Sequence, residues 1–355
     1  AHLLPLEPCS RKQTSMREMI SSMMFGCYIV TLATLLLLSS LVSADFPPVP
    51  QIDVGPWMTS TAKTNITSPE HQRIVDEIRQ ACQTVGFFTI TNHGIDAKVI
   101  DNAWRASAEF FDSPLEEKLR FSADNDAEYP YGYEQKEQLS KGKALDGAVA
   151  TDDGIPVMES KETFSIGPND ERSGMPLRRW APTQSSQFQP SLEEYYSHME
   201  RLSLRLLEIF ALALGQPVDY FEDKMDHHMS ALRLIHYYPL DDTDEMPEHI
   251  IRAGAHTDYG ALTILNAGQP GLQVLRYDSQ DRSQSEWYSV PLVPGALVIN
   301  LGDLMQRWTN DEWVSTLHRV VMSTAGANRN GEPQRRYSMA FFVNINGDTT
   351  IRSLV

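Results

Sequence analysis

Apolar and polar positions change their period several times along this chain, and the changes mark out its elements. Gln51-Ile52-Asp53-Val54 alternates like a short half-buried strand. Ser68 and Pro69 then open a helix, because a serine hydroxyl accepts from the free amides of a first turn and proline fits the first helical position. Ile74, Val75, Ile78, Cys82 and Val85 recur at helical spacing, and Gly86 ends the run. Phe87 to Thr91 reads as a strand and Ala97 to Phe111 as a second helix. Residues 123–160, rich in Asp, Glu, Gly and Lys, hold no period and are expected as loops. Ser191 and Glu194 form a capping box for a long helix that carries Leu202, Leu206, Ile209, Phe210 and Ala213 on one side and stops at Gly215.

Beyond Gly215 the apolar runs shorten. They fall at Ala231–Tyr238, Leu262–Leu265, Leu272–Arg276, Trp287–Val290, Ala296–Asn300, Val314–Val321 and Arg336–Asn344, with Gly, Pro, Asn and Asp between them. Helices followed by short strands predict an α+β chain: a double-stranded β-helix (jelly-roll) core with N-terminal and flanking helices. The expected division is a leader of helices and strands at 45–190 and a helix plus jelly roll at 191–355. No internal repeat, low-complexity tract or phosphate-binding glycine loop is present.

Residues 1–44 follow a different logic. Arg11, Lys12 and Arg17 precede an apolar stretch from Met23 to Val42, and Val42-Ser43-Ala44 suits signal cleavage before Asp45. The stretch also approaches the roughly twenty residues that span a bilayer, so an uncleaved membrane anchor competes with a signal peptide. Either places the protein in the secretory pathway or on a membrane, whereas a spurious extension would leave it cytoplasmic. Asn65-Ile66-Thr67 is a glycosylation sequon that matters only in the first case.

Composition narrows the class. With 355 residues and 41% hydrophobic content, the chain can bury a large core. Its formal charge of −17 speaks against a nucleic acid partner. Removing residues 1–44, with three basic and two acidic side chains, leaves 27 Lys and Arg against 45 Asp and Glu, a charge of −18. A monomer acting on a small molecule is expected. Cys82 alone remains after Asp45, which excludes an internal disulfide or a cysteine-ligated zinc there; it reads as a buried small hydrophobe.

The chemistry concentrates in the C-terminal half. His256 and Asp258 are two positions apart, as residues on one face of a strand are, and His318 follows Asp258 by sixty positions. Two imidazoles and a carboxylate form the facial set of a non-heme iron(II) site, which leaves positions open for a cosubstrate and dioxygen. Eighteen residues after His318, Arg336 and Ser338 share one face of a strand, with Tyr337 and Met339 on the other. A guanidinium fork and a nearby hydroxyl suit the far end of a dicarboxylate, and Tyr238 offers a further donor. His227-His228 reads as a solvated pair and His93 as a residue that satisfies backbone groups at a strand end. Trp308 and Trp313 read as packing, and Asp303 and Asn310 as structural.

With these residues in place, the chain resembles the isopenicillin N synthase-like 2-oxoglutarate- and iron(II)-dependent dioxygenases from about Val49 to Asn344. The resemblance rests on Leu232 to Pro239, the segment from His256 through Leu265, Gly271-Leu272-Gln273-Val274, Pro294 to Asp303, Trp308-Thr309-Asn310, the His318 segment and Arg336-Tyr337-Ser338. Upstream, Gly86 to Ile95, Phe110-Phe111, Glu116-Glu117-Lys118 and Lys161-Glu162-Thr163-Phe164 resemble the family's helical leader. The resemblance implies that His256, Asp258 and His318 ligate Fe(II). It implies that Arg336 and Ser338 hold the 5-carboxylate of 2-oxoglutarate with help from Tyr238. The implied reaction consumes 2-oxoglutarate and O2, releases succinate and CO2, and hydroxylates or desaturates an unactivated C–H bond of a small hormone-like or secondary-metabolite-like substrate, with ascorbate as reductant.

Two alternatives stay open, since relatives that draw all electrons from their own substrate carry an equivalent arginine and serine. One is an Fe(II) oxidase or cyclase independent of 2-oxoglutarate, and the other is a non-catalytic metal- or ligand-binding relative. The chain departs from the family pattern in a long interval between His318 and Arg336, read as a polar turn at 324–333, and in ending at Val355 without the C-terminal helix many relatives carry. With alanine as the first residue, an incomplete gene model is expected at one or both ends.

Overall fold

The computed structural model describes residues 49–60, 68–122, 128–135, 137–138, 158–159, 161–180, 186–238, 250–251, 253–277, 285–321 and 335–354. The expected signal or anchor, the sequon, most of the 123–160 loops and the 324–333 turn lie outside these residues. Among the described residues no helix is long and apolar enough to cross a membrane.

The N-terminal strands are β1 (Gln51–Asp53), β2 (Phe87–Thr91), β3 (Gly132–Glu134), β4 (Glu137–Gln138), β5 (Met158–Glu159) and β6 (Lys161–Ile166). The later ones are β7 (Ala231–Tyr237), β8 (Ile250–Ile251), β9 (Ala253–His256), β10 (Leu262–Ala267), β11 (Leu272–Tyr277), β12 (Ser285–Ser289), β13 (Leu297–Leu301), β14 (His318–Val320) and β15 (Arg336–Val343). The helices are α1 (Gly55–Thr59), α2 (Pro69–Thr84), α3 (Ala97–Phe111), α4 (Leu115–Leu119), α5 (Phe188–Ala213) and α6 (Asp303–Trp308). Eight strands form one sheet in the order β1-β2-β13-β10-β15-β7-β6-β3, and four form a second in the order β12-β11-β14-β9. A third, small sheet runs β4-β5-β8.

The two periods of the sequence become two cores. Leu232, Leu234, Met339 and Phe341 point from β7 and β15 into a cluster with Tyr196, Leu206 and Phe210 of α5 and Ile78 of α2. The alternate residues Ile235, Tyr237 and Ala340 join Leu272, Val274 and Val320 of the second sheet. Both faces of β7 and β15 are therefore covered, which explains why these strands lack a clean polar alternation. Phe341 is fully buried, and its truncation to alanine is expected to cost about 3–5 kcal/mol.

Local signals hold at most element ends. The Ser68 hydroxyl accepts from the His71 amide at 3.1 Å, with Pro69 in the first turn of α2. Gly86 follows that helix at φ +68°, and a Cβ there would lie 2.1 Å from the Val314 carbonyl oxygen, so no side chain fits.

Three expectations change. Helix α5 begins at Phe188, not at Ser191, which is buried in its first turn. Phe188 stacks on Phe110 at 5.1 Å and meets Phe164 edge-on at 5.3 Å, and this packing outweighs the local cap of Ser191 and Glu194. Within the leader, Lys161–Ile166, which received no element of its own from the sequence, is a strand: all six residues are buried, and it pairs with both β3 and β7. The Val314–Val321 strand shrinks to His318–Val320 and pairs irregularly with β9.

Candidate active site

The register of β9 and β14 sets His318 opposite His256, with ring centroids 4.3 Å apart. Strand β9 ends at His256, so Asp258 is not aimed by strand alternation. A pinned turn aims it: the Asp303 amide donates to the Asp258 carbonyl at 2.7 Å, and the Leu304 amide to that of Tyr259 at 3.2 Å. Gly302 makes the approach feasible, since a Cβ there would lie 2.1 Å from the Gly260 carbonyl oxygen. Asp303 thus does fix a helix start, and it also fastens the turn through the Thr257 hydroxyl at 3.1 Å.

The donor atoms of His256, Asp258 and His318 lie within 4.8 Å of one another. Each Nε2 faces Asp258 Oδ1, at 3.8 Å for His256 and 3.7 Å for His318. The His256 Nδ1 donates to the Gly254 carbonyl at 2.7 Å and the His318 Nδ1 to that of Thr316 at 3.1 Å. A carbonyl can only accept, so in the neutral ring the proton sits on Nδ1 and Nε2 carries the lone pair, the form in which an imidazole ligates a metal. Phe87 packs edge-on against the His318 ring at 5.3 Å.

Asp258 is held from behind. Its Oδ2 accepts from the Thr263 hydroxyl at 2.6 Å and the Asn300 amide at 2.7 Å, which turns Oδ1 toward the imidazoles. Burial alone would raise this carboxyl. Attraction to His318 and His256 and the bonds from Thr263 and Asn300 outweigh it and hold the group below the usual carboxylate range.

Arg336 is buried on the face of the large sheet that also carries Thr263 and Asn300. Its Nε donates to the Pro270 carbonyl at 3.2 Å, and Nη1 lies 3.4 Å from the Ser338 hydroxyl. Nη2 is buried without a hydrogen-bond partner. Burial pulls its pKa below the ordinary range. A buried cation with an unmet donor fits a dicarboxylate cosubstrate, and three unsaturated donors set for one ion fit Fe(II).

Tyr238 is not on that face. Its ring lies 5.5 Å from His236, which stacks on Tyr337 at 4.6 Å, and its hydroxyl approaches the Gln135 carbonyl at 3.5 Å. Antiparallel pairing sets Arg336 opposite Tyr237, whose ring centroid is 4.8 Å from the guanidinium carbon. One step of strand alternation separates the expected tyrosine from the one Arg336 meets.

Sequence reasoning gave Thr263 and Asn300 no role. Their signal was a lone polar residue in an apolar strand, as in Leu262-Thr263-Ile264 and Ile299-Asn300-Leu301. His93 does satisfy backbone groups: Nε2 meets the Gly295 carbonyl at 3.1 Å, and Nδ1 accepts from the Ile95 amide at 3.2 Å. His227 and His228 are partly exposed; His227 bridges the exposed Asp226 at 2.7 Å and Asp348 at 3.1 Å, and His228 meets Glu200 at 3.2 Å.

Comparison with known proteins agrees with this geometry. Residues 49–191 match the family model of the non-haem dioxygenase in morphine synthesis N-terminal region, and residues 229–345 that of the 2OG-Fe(II) oxygenase superfamily. A 2-oxoglutarate-dependent dioxygenase of Didymella fabae is 32% identical, covering 86% of this chain and 88% of the relative. Homoarginine-6-hydroxylase 2-ODD-233 of Oryza sativa subsp. japonica is 32% identical, covering 87% and 89%. The crystal structure of a full-length Neurospora crassa protein in complex with alpha-KG and thymine superposes with a TM-score of 0.70 at 26% identity, covering 86% and 88%. Ligand-set geometry, jelly-roll core and sequence therefore converge: the chain belongs to the 2OG-Fe(II) oxygenase superfamily and is a 2-oxoglutarate-dependent dioxygenase.

Proposed function

We propose that His256, Asp258 and His318 hold the Fe(II), that Arg336 and Ser338 hold the 5-carboxylate of 2-oxoglutarate, and that Tyr237 takes the place expected of Tyr238. The observation that carries this is the buried Arg336 guanidinium, which keeps Nη2 unpartnered on the sheet face that also presents Thr263 and Asn300 to Asp258. A cation desolvated without a counter-charge is costly, and an incoming carboxylate relieves that cost through charge-assisted bonds. Bound iron supplies the redox chemistry that couples O2 to oxidative decarboxylation of 2-oxoglutarate into succinate and CO2 and to oxidation of a substrate C–H bond. The chain's own part is positioning. Carbonyls of Gly254 and Thr316 fix the imidazole tautomers, Thr263 and Asn300 fix the carboxylate, and the apolar residues between the sheets exclude water.

Relatives whose names include homoarginine hydroxylation and thymine binding support a small organic substrate, hydroxylated or desaturated. We read residues 1–44 as a signal peptide or anchor, on the apolar stretch from Met23 to Val42. Anaerobic titration of residues 45–355 with Fe(II) and then 2-oxoglutarate tests the assignment. A visible charge-transfer band, followed by succinate on admitting oxygen, is expected; iron binding with neither would assign the cosubstrate role elsewhere.

A further inference from the structure

Beyond β15 the chain runs on as a segment, residues 344–354, that other parts of the protein tie down. The Asn344 amide donates to the Ser230 hydroxyl at 3.1 Å, and the Asn346 amide to the Lys224 carbonyl at 2.8 Å. The Asn346 side chain closes a knot: Nδ2 donates to the Asp223 carbonyl at 3.0 Å and to Asp226 Oδ1 at 2.7 Å, while Oδ1 accepts from the His227 amide at 3.0 Å. At its far end the segment meets α6. Ile351 and Leu354 pack against the core there, and the Leu354 amide donates to the Trp308 carbonyl at 2.9 Å. The other end of the same helix pins the Asp258 turn through the Asp303 amide.

His227 fastens the knot. Its Nδ1 lies 2.7 Å from Asp226 Oδ1 and its Nε2 3.1 Å from Asp348 Oδ1. A carboxylate oxygen can only accept, so both contacts are hydrogen bonds only when both ring nitrogens carry protons, as in imidazolium. The neutral ring has one N–H and must give up one of them. Around the ring, Asp226 and Asp348 face it directly, and Arg172 is taken up by Asp170 at 2.6 Å while donating to the Asp226 carbonyl at 2.8 Å. On its own segment, Lys224 pairs with Asp223 at 2.7 Å and His228 with Glu200 at 3.2 Å. Desolvation lowers the His227 pKa, but bonds to Asp226 and Asp348 outweigh it and hold the ring above its ordinary 6.5.

We propose that residues 344–354 are a pH-sensitive strap, fastened by His227 between Asp226 and Asp348, that buttresses α6 and with it the Asp258 turn. The folded pKa of His227 is the higher one, so its contribution is complete below the unfolded value of 6.5 and is lost as pH rises through the folded value. The strap is therefore fast in mildly acidic solution and loosens in alkali. Its consequence for the metal rests on the reading that Asp258 is a ligand.

Amide hydrogen exchange of the full chain tests the strap. Protection factors of the Asn346 and Leu354 amides, which remove the intrinsic effect of pH on exchange, are read from about pH 6 to about pH 8.5. Wild type is expected to lose about tenfold in protection over that range, one pKa unit being a factor of ten, while amides within β15 keep theirs. His227→Gln should start at the lower level and show no such step. Protection that does not change with pH in wild type, or that falls equally in His227→Gln, overturns the proposal. A second readout is the release of Co(II), a stand-in for Fe(II) with a visible band, to a chelator. At about pH 6 His227→Gln should release it several-fold faster than wild type, and at about pH 8.5 the two should release it alike. Equal release at both pH values, with the exchange difference intact, overturns the buttress to Asp258; failure of wild type to bind Co(II) would instead strike the reading of Asp258 as a ligand.

Discussion

On one face of β7 and β15, Glu162 accepts from Lys118 at 2.8 Å and Tyr133 at 2.6 Å through one oxygen, and pairs with His236 at 2.7 Å through the other. On the opposite face of the same strands Arg336 keeps a buried donor unmet, and nearby the ligand atoms of His256, Asp258 and His318, a set that could hold a metal ion, lie within 4.8 Å of one another. Both clusters are buried except at His256, which stays partly exposed. The first is closed by the protein, with only the His236 Nε2 unpartnered, whereas the second has its valences pointed at something the chain does not contain. Buried charges that a protein neutralises internally hold elements together, and those it leaves open bind ligands.

Replacing His256 by alanine gives the largest contrast. The variant should lose iron and all succinate formation, yet melt within a few degrees of wild type; iron retained at full stoichiometry would remove His256 from the ligand set. Glu162→Ala should fail the other way. It strands the buried Lys118 cation and should lower unfolding stability by about 3–5 kcal/mol in urea, with 2-oxoglutarate affinity kept by the folded fraction.

The closed cluster also has a pH signature. Burial raises the Glu162 carboxyl, but bonds from His236, Lys118 and Tyr133 outweigh it and hold the group below its ordinary 4.5. Its folded value is the lower one, so its contribution is complete above the unfolded value and is lost as pH falls through the folded value. Stability of wild type should therefore drop more steeply in acid than that of Glu162→Gln, and parallel curves would contradict the assignment.

Arg336→Met sharpens the comparison. Removing an uncompensated buried cation should leave the ligand-free protein as stable as before or about 1 kcal/mol more stable, while 2-oxoglutarate binding weakens about 100-fold. A loss of stability equal to that of Glu162→Ala would make Arg336 structural. Asn300→Ala, which frees Asp258 Oδ2 of one donor, should have the smallest effect, about a tenfold loss of iron affinity measured by competition with a chelator.

The fold was largely legible because helix and strand periods are local. Ser68, Pro69 and Gly86 bracket α2 as they do in the sequence, and the strands from Ala231 to Asn344 fall near their apolar runs. The start of α5 was not legible, since Phe188 gains its partners Phe110 and Phe164 from distant segments. Lys161–Ile166 was not legible as a strand for a related reason: a strand between two others buries both faces, so its polar residues show no alternation against a solvent side.

The sequence by itself determined the candidate set: two histidines and an aspartate, then an arginine and a serine two positions apart. Spacing alone also set Arg336 and Ser338 on one side of their strand. Only the tertiary structure decided that a turn pinned by Asp303, and not a strand, aims Asp258, and that Thr263 and Asn300 brace it. It also decided that Tyr237, not Tyr238, faces Arg336. The reason is that side-chain direction in a strand reverses at every residue. Which of two adjacent tyrosines meets the arginine therefore depends on the pairing register of β7 with β15, and register is a property of two segments about a hundred residues apart.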